Sequence, residues 1–211
     1  MHWNTVTPLL REVLNAIMVD PLFEPFKLVG GTSLSLQLGH RESIDIDLFT
    51  EAEYGDLDFA AILQFFRERY AYVETNEIGK IGIGTSFYVG PSADDAVKVD
   101  IYYTDPFIRE GIMDEGIRLC SIEDIIAMKL EIISQTGRKK DFWDLHALHD
   151  NFGIDTMIAL YLERNPYGST EAELRTGIVN FSGADDEPDP ICLLGKHWEL
   201  IKLDFVTWHN Q

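Results

Sequence analysis

Asp45 and Asp47 stand one residue apart, shortly after the run Gly30-Gly31-Thr32-Ser33. On a strand, residues i and i+2 face the same way. The two carboxylates then share one side, while Ile44, Ile46 and Leu48 turn to the other, into a core. Paired carboxylates on one face suit magnesium, which takes oxygen ligands at about 2.0–2.1 Å. Gly30 and Gly31 let the backbone approach a ligand closely. Thr32 and Ser33 open a helix, where free N–H groups and the positive dipole end attract anions, and their hydroxyls add donors. A phosphate-holding turn beside a metal-holding acid pair is the chemistry of moving part of a nucleotide. Taken singly, each half has a plainer reading. A D-x-D pair also suits the polar face of an edge strand, and a strand-to-helix turn often carries a hydroxyl N-cap. No G-x-x-x-x-G-K-[ST] run is present, so the turn is not a P-loop.

A second strand repeats the pattern. Over residues 97–103, Lys98, Asp100 and Tyr102 share one face, and Val97, Val99 and Ile101 the opposite one. If the two strands are neighbours, Asp100 joins Asp45 and Asp47. Three crowded carboxylates would be costly without a counterion. Two magnesium ions about 3.5–4 Å apart can serve both oxygens of a phosphoryl displacement.

Cations follow later in the chain. Ser121-Ile122-Glu123-Asp124 resembles a capping box with Asp in the place of Glu or Gln. The helix it starts buries Ile122, Ile125, Ile126, Ile132 and Ile133, with Lys129 inside that apolar stripe. A lysine there snorkels, pairs or works; beside an acidic site it can neutralise a triphosphate. Arg138-Lys139-Lys140 is the densest basic spot, either a solvated loop or a phosphate-facing edge. Asp141 and Asp144 suit helix caps. Arg41 is a candidate phosphate partner, and His40 carries no assignment. His146, His149, His197 and His209 lack zinc-ligand spacing.

These residues need elements to hold them. Helical periodicity covers residues 5–19, short strands 26–29 and 44–48, and a short helix Thr32 to Leu38. Asp56 can cap a helix through Phe59, Ile62, Leu63 and Phe66. Residues 71–78, 82–89 and 97–103 read as a meander, since their connections, marked by Gly79 and by Gly90-Pro91, are too short for crossover helices. A short strand spans 117–120. Helices are expected over 122–134, 140–150, 154–164, 170–181 and 196–208, with an acidic, proline-bearing loop over 185–190. Strands early and helices late give an α+β half with a helical half behind it.

The 211 residues carry a net charge of −19. So acidic a chain repels a long polyanion, which argues against broad DNA binding. A small anion with a metal ion, or one RNA end, remains compatible. Hydrophobic residues make up 45%, enough for a real core. No apolar run suits a membrane span, and Met1-His2-Trp3-Asn4 lacks the charged and apolar regions of a secretory signal. Cys120 and Cys192 fit neither a zinc site nor a disulfide framework, so a cytoplasmic protein with reduced thiols is expected.

Gly30 to Leu34, Leu38-Gly39-His40-Arg41 and Ser43-Ile44-Asp45-Ile46-Asp47-Leu48-Phe49 together resemble the first motif of the AbiEii/AbiGii-type nucleotidyltransferases. That family belongs to the polymerase-beta-like superfamily. Ala127-Met128-Lys129-Leu130 and Arg138 to Leu145 resemble its later motifs, in order. The resemblance covers roughly residues 28–146. It implies a polymerase-beta-like core with a mixed sheet flanked by helices over 1–120. Behind it, a helical region over 121–211 would complete the active site and shape the acceptor side. It also implies metal aspartates at Asp45 and Asp47, the motif lysine at Lys129, the motif aspartate at Asp141, and a third carboxylate at Asp100 from the wider superfamily. The implied activity is a bacterial, magnesium-dependent transfer of NMP from an NTP to an acceptor hydroxyl, with pyrophosphate released. Gly30, Gly31, Thr32, Ser33, Arg41 and Lys129 would hold the nucleotide. The acceptor would be tRNA or another RNA end, a small molecule or a protein, and a cognate antitoxin is an implied partner. A non-catalytic nucleotide-binding or interaction protein with the same fold is the rival.

Overall fold

The computed structural model describes residues 1–75 and 82–210. Its strands are β1 (Lys27–Leu28), β2 (Asp45–Thr50), β3 (Tyr72–Thr75), β4 (Gly84–Ser92), β5 (Asp95–Tyr103), β6 (Ile112–Asp114) and β7 (Ile117–Leu119). Among the described residues they form one mixed sheet of seven strands in the order β3-β4-β5-β2-β1-β7-β6. The expected meander is present as antiparallel β3-β4-β5. Residues 76–78 of the expected strand, and Gly79, lie outside the described residues. β2 runs parallel to β5 and antiparallel to β1, which in turn runs parallel to β7. The three residues of β6 carry no alternation and were not foreseen.

Among the described residues seven α-helices flank the sheet: α1 (Pro8–Val19), α2 (Gly30–Leu38), α3 (Phe59–Arg69), α4 (Ile122–Gln135), α5 (Lys139–Arg164), α6 (Glu171–Gly177) and α7 (Trp198–His209). Alternation decides which face of the sheet meets which helices. Ile46, Leu48, Val99 and Ile101 are fully buried in one apolar cluster with Leu14 and Ile17 of α1 and Phe66 of α3. The opposite face carries the acids. A second buried cluster joins Leu34 of α2 to α4, α5, α6 and α7. The site therefore lies between the polar face of the sheet and the helices that follow it.

Local chemistry moves several expected boundaries. Ile44 falls before β2 and is 67% exposed, so it is not core. Asp58, not Asp56, caps α3, accepting from the Ala61 N–H. The Tyr103 hydroxyl accepts the N–H groups of Gly55 and Leu57, which holds that stretch out of the helix. At Ser121 only half the capping box forms. Its hydroxyl accepts the Asp124 N–H, while the Asp124 carboxylate accepts the N–H groups of Ile108 and Arg109 and ties α4 to that loop. Ile122 and Ile132 are only half-buried. The two helices expected at 140–150 and 154–164 share α5, broken at Gly153 (φ 59°, ψ 159°). The helix expected over 170–181 stops at Gly177, where a Cβ would meet the Ile133 carbonyl at 3.0 Å. No helix among the described residues is long and apolar enough to cross a membrane.

Candidate active site

Parallel pairing sets Asp47 directly beside Asp100, and Asp45 beside Lys98. All four side chains stand on the polar face, because their neighbours Ile46, Leu48, Val99 and Ile101 fill the core. The surroundings of the three acids differ. Asp100 accepts the Ser86 hydroxyl at 2.5 Å and the Lys98 ammonium at 2.6 Å. Asp45 has the Lys140 ammonium 4.0 Å away. Asp47 is the member whose surroundings weigh most against its charge, with Lys140 and Lys129 offsetting only part of that. Burial, then the charges of Asp100 and Asp45, push its carboxyl up to about 6.

The glycines of the turn serve this arrangement first. α2 begins at Gly30, two residues before the expected start, and Val29 gives it no side-chain cap. Gly30 has φ +68°, and a Cβ there would lie 2.5 Å from Asp47 Oδ2. A Cβ on Gly31 would lie 2.4 Å from an Arg41 guanidinium nitrogen. The close approach is thus made by the site's own carboxylate and guanidinium. Thr32 and Ser33 are buried. The Thr32 hydroxyl donates to the Asp45 carbonyl, and the Ser33 hydroxyl accepts from Gln37. What the turn offers a ligand is backbone, not hydroxyls. Gly30→Ala is expected to cost roughly 1–2 kcal/mol from backbone strain alone. It should also displace Asp47. Thermal melts with and without magnesium should show a lower Tm and a smaller metal-dependent gain than the parent.

The helical wall is a buried ion network. Lys129 does not snorkel; it donates to Asp141 at 2.9 Å and contacts Asp144 at 2.5 Å. Burial works against its charge, but the two carboxylates outweigh that and raise its pKa. Asp141 is not only a cap, since it also accepts from Arg138 at 2.7 Å. Burial pushes Asp141 up, yet Lys129 and Arg138 hold it below the ordinary carboxylate range. Asp144 was not foreseen as more than a cap. It accepts from Arg41 through two bonds of 2.6 and 2.7 Å and pairs with His40 at 2.7 Å. Its spacing from Asp141 was the available signal, because i and i+3 share a helix face. The basic triplet is split. Arg138 and Lys140 line the cleft, whereas Lys139 turns away to Asp189 and the Glu187 carboxylate accepts its N–H.

The cleft has a volume of about 170 Å³ and brings together Gly30, Gly31, Arg41, Asp45, Asp47, Asp100, Lys129 and Asp141 of the expected set. Thr32 and Ser33 are not among its lining residues. Arg41, Lys98, Lys129, Arg138 and Lys140 face Asp45, Asp47, Asp100 and Asp141 there. Despite the net charge of −19, the local balance does not repel a polyphosphate. Among the described residues, no three His, Cys, Asp or Glu side chains stand close enough together to hold an ion unaided. The donor chemistry still fits magnesium, which is commonly held by one or two carboxylates plus water and substrate phosphate. Asp47, buried and crowded by Asp100 and Asp45, is the side chain a cation would relieve.

The family model described as nucleotidyl transferase AbiEii toxin, type IV TA system, matches residues 12–205. The chain belongs to the AbiEii nucleotidyltransferase toxin family. A curated relative, the protein aq_aa25 of Aquifex aeolicus (strain VF5), is 30% identical over 185 residues, covering 84% of each chain. Two solved structures share the fold of this AbiEii-family protein. JHP933 from Helicobacter pylori aligns with TM-score 0.62 and 19% identity, over 95% of this chain and 88% of that one. MenT4, a nucleotidyltransferase toxin from Mycobacterium tuberculosis H37Rv, aligns with TM-score 0.57 and 12% identity, over 96% and 83%. The AbiEii family is a nucleotidyltransferase family, and its mixed sheet and flanking helices frame the acidic cleft described above.

Proposed function

We propose that the protein transfers NMP from an NTP to an acceptor hydroxyl in a magnesium-dependent reaction. The observation that carries this reading is Asp47, crowded by Asp45 and Asp100 on the floor of a cleft with a helix start at its rim. The acceptor oxygen bonds to the α-phosphorus, the bond from that phosphorus to the β-phosphate oxygen breaks, and pyrophosphate leaves. Bound magnesium would be held by Asp45 and Asp47 with water and substrate phosphate, and would supply charge stabilisation at the reacting phosphate. Asp100, kept in place by Ser86 and Lys98, accepts the hydroxyl proton. Backbone N–H groups at Gly30 and Gly31 face the terminal phosphates. Arg138 and Lys140 neutralise the polyphosphate. Arg41, Lys129 and Asp141 act one step back, by fixing α4 and α5 against the turn. Catalysis here rests on positioning and electrostatics.

The acceptor is a tRNA or other RNA end, with a small-molecule or protein hydroxyl as the alternative. Family membership supports a cognate antitoxin as partner, and the need for NTP supports a cytoplasmic site of action. The test is incubation of NTP labelled at the α-phosphate with magnesium and cell extract, followed by fractionation and a pyrophosphate assay. Label should move to one acceptor fraction with equimolar pyrophosphate. Tight NTP binding without pyrophosphate release would favour a non-catalytic binding protein.

A further inference from the structure

A second cavity of about 410 Å³ opens beside the catalytic cleft and shares Arg41, Asp45 and Lys140 with it. Its walls include Ile44, Pro188, Pro190 and Ile191. Ile44 and Ile191 are 67% and 61% exposed, an apolar pair from two hydrogen-bonded segments that line one slot next to a catalytic strand. Neither belongs to either buried apolar cluster among the described residues. Ile44 lies outside β2, and its hydrophobicity does not serve the core. The cleft alone is smaller than the about 300–1,000 Å³ of ordinary ligand sites, whereas the slot falls inside that range.

The slot is built rather than incidental. The Glu42 N–H donates to the Ile191 carbonyl at 2.9 Å, and the Leu193 N–H donates to the His40 carbonyl at 2.9 Å. Lys139 holds the far wall through Glu187 at 2.8 Å and Asp189 at 3.0 Å. Asp185, at the start of that loop, accepts from Trp198 and Lys202. The two prolines add stiffness where a flat ligand would lie. The acidic loop over 185–190 is thus a clamped wall that brings Pro188 and Pro190 to the cavity beside Glu187 and Asp189.

We infer that this slot seats the nucleoside of the donor nucleotide. The inference rests on the proposed function. Its terminal phosphates would lie at Gly30 and Gly31, and Asp45 stands where the cleft meets the slot. Asp100 lines the cleft and not the slot, so the attacking hydroxyl enters through the cleft, in line with the departing pyrophosphate, and the slot is left to the nucleoside on the α-phosphorus. Ile44, Ile191 and the prolines cover the faces of the base and ribose, while Lys140 stays with the phosphates.

Calorimetry tests this with each of the four common NTPs and with inorganic tripolyphosphate, all with magnesium. The proteins are the parent, Ile44→Asn, Ile191→Asn and Ile44→Leu. The parent should bind at least one NTP roughly tenfold or more tighter than tripolyphosphate, a margin of about 1.4 kcal/mol. Each Asn variant should lose most of that margin with its tripolyphosphate Kd unchanged, and Ile44→Leu should keep it. NTP affinity equal to the parent in both Asn variants overturns the inference. So does unchanged NTP affinity with a raised acceptor KM, which would make the slot the acceptor's seat. A parent that binds neither ligand overturns the functional proposal, and this inference falls with it.

Discussion

Asp47→Asn is expected to abolish transfer while making the protein more stable at neutral pH. The two effects share one cause. Burial and the charges of Asp100 and Asp45 raise the Asp47 pKa from 3.8 to about 6, so its ionised form is held at a cost in the folded state. A shift of that size corresponds to roughly 1–3 kcal/mol, allowing for partial solvent contact. The folded pKa lies above the unfolded one, so the folded state binds more protons between about pH 4 and 6. Stability falls as pH rises through that window, and the penalty is complete above it. Asn removes the penalty, so the variant should melt higher than the parent at pH 7.5, and the gap should close below about pH 4. Activity moves the other way, because the same charge is the one proposed to meet the metal. A loss on the order of 10²–10³-fold or more in kcat/KM is expected. Magnesium should raise the parent's Tm at pH 7.5 and do little for Asp47→Asn. A variant with near-parental turnover, or one that is less stable with no metal effect on the parent, would sink the metal assignment.

The sequence made the sheet half of this site readable, because strand alternation is a strict rule. Asp45, Asp47 and Asp100 each sit between β-branched or leucine neighbours, and that alone orients them. The order of the motifs carried the family, and the matched model extends the likeness from the expected 28–146 to residues 12–205. The helical half was less legible because its polar residues act through partners distant in the chain. Nothing local distinguishes Lys139, which pairs with Asp189, from Arg138 and Lys140, which line the cleft. Ile44 shows the opposite failure. It fits the alternation, but β2 starts one residue later, so periodicity assigned it to a core it never enters.

Asp144 is the residue whose loss should cost the fold most among the polar groups. It is fully buried and holds Arg41, Lys129 and His40 at once. Burial alone would raise its pKa, but Lys129 and Arg41 outweigh that and hold it well below the ordinary carboxylate range. Asp144→Asn keeps the shape and removes the charge. It leaves Arg41, 3% exposed, with no carboxylate of its own, whereas Lys129 still has Asp141. An uncompensated buried charge costs about 3–5 kcal/mol. For a chain of this length each kcal/mol shifts Tm by roughly 2–4 °C, so a fall near 10 °C or more is expected in calorimetry at pH 7.5. The folded pKa is depressed, so this contribution is present above the unfolded value near 4 and fades as pH falls below it. The gap between parent and variant should therefore narrow in acid. A double-mutant cycle with Arg41→Gln separates the lost pair from lost packing. If the buried guanidinium is what suffers, the double variant should be less destabilised than the sum of the singles, by about 1–3 kcal/mol. Fully additive losses would mean that Arg41 and Asp144 do not depend on each other, and that the connection from α2 to β2 is held to α5 by packing alone.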